Sequence, residues 1–440
     1  MRRFSDLVLL VLFAVGAPFV APAGATTVAA DASWRQDGGD PGRSGHQPVA
    51  SPLGDLEVRW TAPANRDEEQ VGGAVVVDGT LFRSAGGPTG QVRRYDAVTG
   101  ADLGPIVDVP ARRFGRLAVV GGAVVVESVD VGSAVRRLGA YTMTGHQRWE
   151  IVLPDDVSGG YTVGDGLILR SAGSAVTAYS LADGAVAWTA PLGGEAGLHP
   201  PVIEDGLVLQ ASGDPAVLSA FDATTGRPAW QRAVSGAELV ARAGAVYAVG
   251  DGGVCAYAVR DGAERWCAPR TADPVGARPG GGGAGPRVSE RTRPTSVNSV
   301  DVAGLGRPRF ATVSDQALFV VGDAGKLAAI RTTDGAVDWV GDYGLGWEVD
   351  TSYWAPVNGG GVVYVVAYHF DARDGDVRHR TDLTAFSATD GRLVSRVDLG
   401  FDSLQGAEPL LLTGDHVYFA ALERLYALAA RRPRSSPAAS

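Results

Sequence analysis

A repeated turn signature constrains this chain more than any other feature. Seven segments place an aromatic or apolar residue shortly before Asp-Gly or Thr-Gly. They are Tyr95–Gly100, Tyr141–Gly145, Tyr179–Gly184, Phe221–Gly226, Tyr257–Gly262, Ile330–Gly335 and Phe386–Gly391. Trp149, Trp188, Trp230, Trp266 and Trp339 each follow the glycine by four positions. The spacing is about 40 residues, with several short strands per unit, which is the period of propeller blades. Within a unit, a Val-rich run meets a tight turn, as in Val75-Val76-Val77-Asp78-Gly79. A second strand (Leu81-Phe82), a third bearing the aromatic (Val92–Ala97) and a fourth bearing the Trp follow. Asp-Gly between such runs is a strong hairpin signal, because the turn needs positive φ.

The two ends complete the count. Leu425-Tyr426-Ala427-Leu428 reads as a third strand with no fourth after it, and Trp60-Thr61-Ala62-Pro63 repeats Trp188-Thr189-Ala190-Pro191 with no turn before it. The expected fold is all-β: an eight-bladed β-propeller of four-stranded antiparallel blades, closed by N- and C-terminal strands sharing the last blade. An open solenoid would not need complementary half-units, whereas closure removes sheet edges. Trp60 and the five tryptophans named above are expected to pack blade against blade.

Composition agrees. Sixty-one glycines in 440 residues disfavour a helical bundle. The formal charge of −10 disfavours nucleic-acid binding, which needs a basic footprint. Lys326 is the one lysine, so Schiff-base chemistry has a single candidate.

Residues 1–25 read as a secretory signal. Arg2 and Arg3 precede a short apolar core (Leu7 to Val15), and Ala23-Gly24-Ala25 forms a cleavage site. The mature chain is expected to be secreted or extracytoplasmic, monomeric and without a membrane span. Residues 26–54 form an N-terminal lead-in, 55–430 the propeller with a 270–300 insertion, and 431–440 a disordered tail. Cys255 and Cys267 flank the turn Val259–Ala263 and would face each other across a hairpin, so an oxidising compartment favours a disulfide between them. The six histidines show no metal-binding spacing, and no metal site is expected.

Ala220-Phe221-Asp222-Ala223-Thr224-Thr225-Gly226-Arg227-Pro228-Ala229-Trp230 and its copies resemble the PQQ-like β-propeller repeat family. The opening Trp34-Arg35-Gln36-Asp37-Gly38-Gly39-Asp40-Pro41 through Gly45 is similar to that family's lead-in. The resemblance implies the fold. It leaves function open between BamB-like assembly scaffolds and quinoprotein dehydrogenases carrying PQQ with calcium. Those dehydrogenases typically have a disulfide between adjacent cysteines, whereas Cys255 and Cys267 lie twelve apart.

With the first strand innermost, the loops entering it form a channel mouth. Aligned entries are Gly73, Arg116, Gly160, Pro200, Glu238, Arg309, Trp354 and Pro409, with His199, Tyr353 and Glu408 just before three of them. Three length anomalies share this face. They are the insertion 270–300, the blade 7 entry 341–354 (Tyr343, Trp347, Glu348, Asp350, Tyr353 and Trp354) and a loop at 371–380 (Asp371, Asp374, Asp376 and His379). Long loops on a rigid scaffold are where function collects. The expected role is a non-catalytic ligand- or protein-binding scaffold using the face over blades 5 to 7. Candidate ligand-binding residues are Arg116, His199, Glu238, Arg309, Trp347, Glu348, Asp350, Tyr353 and Trp354. The alternative is an enzyme of unassigned class at the mouth, using Glu348, Asp350, His199 or Arg309, or a PQQ-dependent dehydrogenase.

Overall fold

Both residues of each Asp-Gly turn after an innermost strand have positive φ: Asp78 and Gly79 (49° and 72°), Asp165 and Gly166 (51° and 75°), Asp205 and Gly206 (50° and 73°). That geometry matches the twist of the strands it joins and repeats the hairpin around the ring. The computed structural model describes residues 32–48, 55–63, 71–85, 89–154, 158–197, 199–234, 236–269, 305, 307–343, 355–373, 376–400, 410–420 and 424–431. These form eight sheets in a ring, each of four antiparallel strands, with a short fifth strand added in parallel to the seventh sheet. Blade 1 runs Val71–Val77, Thr80–Ala85, Thr89–Asp96 and Asp102–Pro110, and blades 2 to 7 repeat this order. Blade 8 comprises Leu411–Leu412, Val417–Ala420, Arg424–Ala430 and, as its outer strand, the N-terminal Leu56–Pro63. The chain thus closes as the two half-units imply, and Arg431 continues the closing ladder by donating its backbone N–H to the Asp55 carbonyl (2.7 Å). The signal segment, the 270–300 insertion and residues 432–440 lie outside the described residues.

Alternating strand residues face the two neighbouring blades, so each seam has an apolar core. Val75, Phe82 and Val92 of blade 1 pack on Phe114, Leu117 and Val124 of blade 2. Blades 7, 8 and 1 share one larger cluster containing Tyr364, Tyr418 and Leu428.

All six assigned tryptophans sit at seams and share one contact. The indole N–H donates to a carbonyl of the next blade's turn: Trp60 to Ala97, Trp149 to Leu181, Trp188 to Ala223, Trp230 to Val259, Trp266 to Thr332 and Trp339 to Ala388, at 2.8–3.1 Å. The ring lies flat on the turn glycine. At Gly226 (φ +69°) a Cβ would stand 2.6 Å from Trp188, so both conformation and space demand glycine. At the seam between blades 1 and 2 the Ile106 backbone covers Gly145 instead. Cys255 and Cys267 are register partners on adjacent strands of blade 5 and are disulfide-bonded.

Two regions differ from expectation. Residues 371–373 and 376–380 are strand, not loop, while Asp374 lies outside the described residues. Val362–Arg373 and Asp376–Ser387 pair continuously from Val362↔Ser387 to Arg373↔Asp376, and the β-pairing of Asp371, Ala372 and Arg373 overrides their turn-like composition. The lead-in is not outside the propeller. It follows the inner edges of the first strands around the channel. Trp34 exchanges backbone hydrogen bonds with Val76 of blade 1 (2.6 and 2.8 Å), and Val119 of blade 2 donates to the Arg35 carbonyl. The Gln36 amide brackets Val163 of blade 3 through both its groups (2.9 and 2.7 Å). Ile203, Ala241, Val313 and Asn358 of blades 4 to 7 donate to the carbonyls of Pro41, Gly42, Ser44 and Gly45 at 2.7–2.8 Å. His46–Gln47 pairs in parallel with Val357–Gly359, and Gln47 donates to Leu412 of blade 8.

The latch generates a stability prediction. Trp188→Phe keeps most of the burial but leaves the Ala223 carbonyl without its donor, and should cost about 1–2 kcal/mol. Trp188→Ala should cost about 3–5 kcal/mol. Denaturant unfolding reads both; a Trp188→Phe variant as stable as the parent would mean that the hydrogen bond contributes nothing.

Candidate functional site

The mouth residues come together through the lead-in. Arg116 lies in the inner strand of blade 2, Glu238 opens that of blade 5, and His199 precedes that of blade 4. The turn Asp37–Arg43 projects between them. Its fold is local: Gly39 donates to Gln36, Arg43 to Asp40 and Gly45 to Gly38 at 2.9–3.0 Å. The Asp40 carboxylate accepts from both the backbone and the hydroxyl of Ser44.

An alternating chain of charges results. Arg116 pairs with Asp37, whose Oδ2 also lies 3.4 Å from an Arg43 terminal nitrogen. The other Arg43 terminal nitrogen stands 4.0 Å from Glu238 Oε1, and Glu238 Oε2 pairs with His199 Nδ1. The Glu238 side chain is 5% exposed and that of Arg43 11%; His199 (32%) and Arg116 (40%) open toward solvent. Burial pushes both carboxyls up. At Asp37 the guanidinium groups of Arg43 and Arg116 outweigh it and hold the carboxyl below its ordinary value. At Glu238, Arg43 and His199 do the same.

The surroundings fix each member. Gly160 (φ +110°) makes room for Arg116, since a Cβ there would fall 2.2 Å from Arg116 Nε. The Tyr161 hydroxyl lies 3.1 Å from the Arg116 carbonyl. The His199 carbonyl accepts from Ser171 (3.4 Å) and Gln210 (3.3 Å). Chemically, Glu238 orients His199 as a carboxylate orients an imidazole base, but the charges are balanced by the chain itself.

Arg309 does not join this chain; it is 47% exposed and stands 3.8 Å from Asp323. Trp347, Glu348, Asp350, Tyr353 and Trp354 lie outside the described residues, as do Glu408 and Pro409. Tyr343, counted with them in the blade 7 entry, is fully buried, and its hydroxyl donates to the Gly322 carbonyl. Sequence reasoning missed Asp37 and Arg43 as site residues. They stand in no repeat, and the available signal was two opposite charges in a Gly-rich segment beside an asymmetric mouth. Among the described residues no three His, Cys, Asp or Glu side chains are grouped to hold a metal ion, and no helix is long and apolar enough to cross a membrane.

Fold and site define an eight-bladed propeller whose inner strand edges are lined by its own N-terminal segment. A family model described as outer membrane protein assembly factor BamB matches residues 88–196 and 132–304. The chain is similar to the PQQ-like β-propeller repeat family over this region. It resembles the crystal structure of BamB from Moraxella catarrhalis at 13% identity, with a TM-score of 0.55 over 85% of this chain and 99% of that one. It resembles quinohemoprotein alcohol dehydrogenase from Comamonas testosteroni at 14% identity, with a TM-score of 0.59 over 93% and 83%. The computationally designed Ika8 protein aligns at 12% identity, with a TM-score of 0.56 over 87% and 100%. These likenesses show the fold. No curated protein matches the chain.

The lowered carboxyls give a pH prediction. A carboxyl whose folded value is depressed stabilises fully above the ordinary carboxylate range, and the contribution is lost as pH falls through the folded value. Asp37→Asn combined with Glu238→Gln should lower the melting temperature at neutral pH. The gap to the parent should narrow as pH falls below the ordinary carboxylate range and through the parent's depressed carboxyl values, where its carboxyls also become neutral. Melting curves across pH test this; a gap that stays constant would mean that charge plays no part.

Proposed function

We propose that the chain is an exported, non-catalytic scaffold that binds a partner protein or ligand through the loop face over blades 5 to 7. One observation carries the non-catalytic half. Of the groups best placed for chemistry at the mouth, Arg116 and Glu238 are engaged by Asp37 and Arg43 of the lead-in, and His199 is paired with that same Glu238. The family description of an assembly factor supports a scaffold role. The disulfide and the family are consistent with an extracytoplasmic location. The binding half rests on the sequence: Trp347, Glu348, Asp350, Tyr353 and Trp354 put aromatic faces beside carboxylates on one long loop.

The redox alternative fits the chain less well. The lead-in lines the channel on the inner edges of all eight blades, and Asp37 with Arg43 bridges Arg116 and Glu238. A quinone there would have to displace that bridge, and the described residues offer no grouped donor set for calcium.

Two measurements test the proposal. Titration with PQQ and calcium, followed by absorbance and calorimetry, should show no binding; saturable binding would restore the dehydrogenase reading. Hydrogen exchange with a cell-envelope fraction should protect peptides from 270–300 and 341–354, and Glu348→Ala with Trp354→Ala should abolish that protection. Protection confined to other blades, or indifferent to those substitutions, would remove the loop face as the binding surface.

A further inference from the structure

We propose that the channel is a peptide-binding site and that Trp34–Gln47 is its ligand, carried in cis. The bonding is that of a bound peptide. Blades 1 to 7 use backbone groups of their innermost strands to hold the segment, and blade 8 accepts the Gln47 amide at the Leu412 carbonyl. The blades need nothing from it for closure. Each has four strands without it, and the ring is sealed separately by Leu56–Pro63 against Arg424–Ala430.

Side chains supply specificity on top of those main-chain bonds. Trp34 is buried in the shared cluster of blades 7, 8 and 1, with 1% of its surface exposed. The Gln36 amide satisfies both the N–H and the carbonyl of Val163, which no apolar residue would do. Asp37 and Arg43 meet opposite charges on blades 2 and 5. Ser44 sits fully buried, with its carbonyl held by Val313 and Thr312. The recognised pattern is therefore Trp-x-Gln-Asp, a Gly-Gly turn, then Arg-Ser-Gly.

The segment is also pre-shaped. The Gln36–Gly45 turn is closed by its own hydrogen bonds, so it loses less freedom on docking than an unstructured peptide would. Tethered by the few residues before Leu56, it experiences a high effective concentration and occupies the site in cis. A free peptide with the same pattern is the class of ligand that would compete for it. The site is separate from the loop face over blades 5 to 7, and either can fail without the other.

The test keeps the whole chain. Residues 49–54 are replaced by a site-specific protease sequence, the folded protein is cleaved, and the nicked complex is followed by size exclusion and mass spectrometry. The probe is a fluorescent synthetic peptide of residues 32–48. The fragment is expected to remain with the ring after cleavage and to exchange for the labelled peptide, which then dissociates with a measurable rate. Glu238→Gln in the ring, or Asp37→Asn in the peptide, should speed that dissociation about tenfold or more. Trp34→Ala in the peptide should prevent capture, while Trp34→Phe retains it in weakened form. Three results would overturn the proposal. The fragment could leave on cleavage and the labelled peptide fail to rebind. The ring could unfold when the fragment leaves. The fragment could stay but refuse exchange up to the unfolding temperature, which would make it an integral part of the core.

Discussion

The first strand of every blade turns one edge toward the common axis, and the groups on that edge are what the centre of this molecule is built to satisfy. A strand pairs with its own blade on one side only. The N–H and carbonyl groups on the other side face the channel, and leaving them buried without partners costs on the order of 1–3 kcal/mol each. The lead-in meets them one blade at a time, in chain order from Val76 of blade 1 to Leu412 of blade 8. A single peptide can do this because the edges point inward around a small circle.

That backbone constraint sets the chemistry of the centre. Once the turn at Gly38-Gly39 stands in the channel, its side chains must meet whatever the mouth presents. On the side of blades 2 to 5 these include the ions Arg116 and Glu238, the latter also paired with His199, and the segment answers with Asp37 and Arg43. On the side of blades 6 and 7 they are neutral. Asn358 donates to Thr312 (2.6 Å), Thr312 donates to the Ser44 carbonyl (2.7 Å), and His46 lies 2.6 Å from the Asn358 amide oxygen. The buried ions are acceptable because they are paired; removing one partner would leave a buried charge, which is far more costly than never having the pair.

The ring was legible in the sequence because its determinants are local and periodic. A turn glycine and a tryptophan four residues later report a seam, and Trp60-Thr61-Ala62-Pro63 reports the closing strand. The Cys255–Cys267 pairing followed from hairpin register. The centre was not legible, because its contacts are single and distant. Gln36 reaches Val163, 127 residues away, and Gln47 reaches Leu412, 365 away. No period links such partners. The alignment of strand entries did select Arg116 and Glu238, with His199 beside a third entry, but their partners lay in a segment set aside as a lead-in. The strands at 371–373 and 376–380 were hidden by composition, since Asp, Arg and Gly suggest a loop where cross-strand pairing to Ser387 carries the strands through.

Closure by an N-terminal strand has a structural consequence at the seams. The tryptophan latch needs a turn between the third and fourth strands of the following blade, because the indole lies on that turn's glycine and bonds to its carbonyl. Blade 8 takes its fourth strand from the other end of the chain and so has no such turn. The seam between blades 7 and 8 is joined instead by Tyr426 donating to the Leu399 carbonyl (3.3 Å) and Leu56 donating its N–H to Ser395 (3.0 Å). The seam between blades 1 and 2 also lacks a latch, with the Ile106 backbone over Gly145. The six latches thus divide the ring into an arc of blades 2 to 7 and a pair, blades 8 and 1, joined by Trp60. The lead-in spans both unlatched seams, binding Val76 and Val119 across one and Asn358 and Leu412 across the other. The segment that satisfies the inner edges therefore also ties the two arcs together.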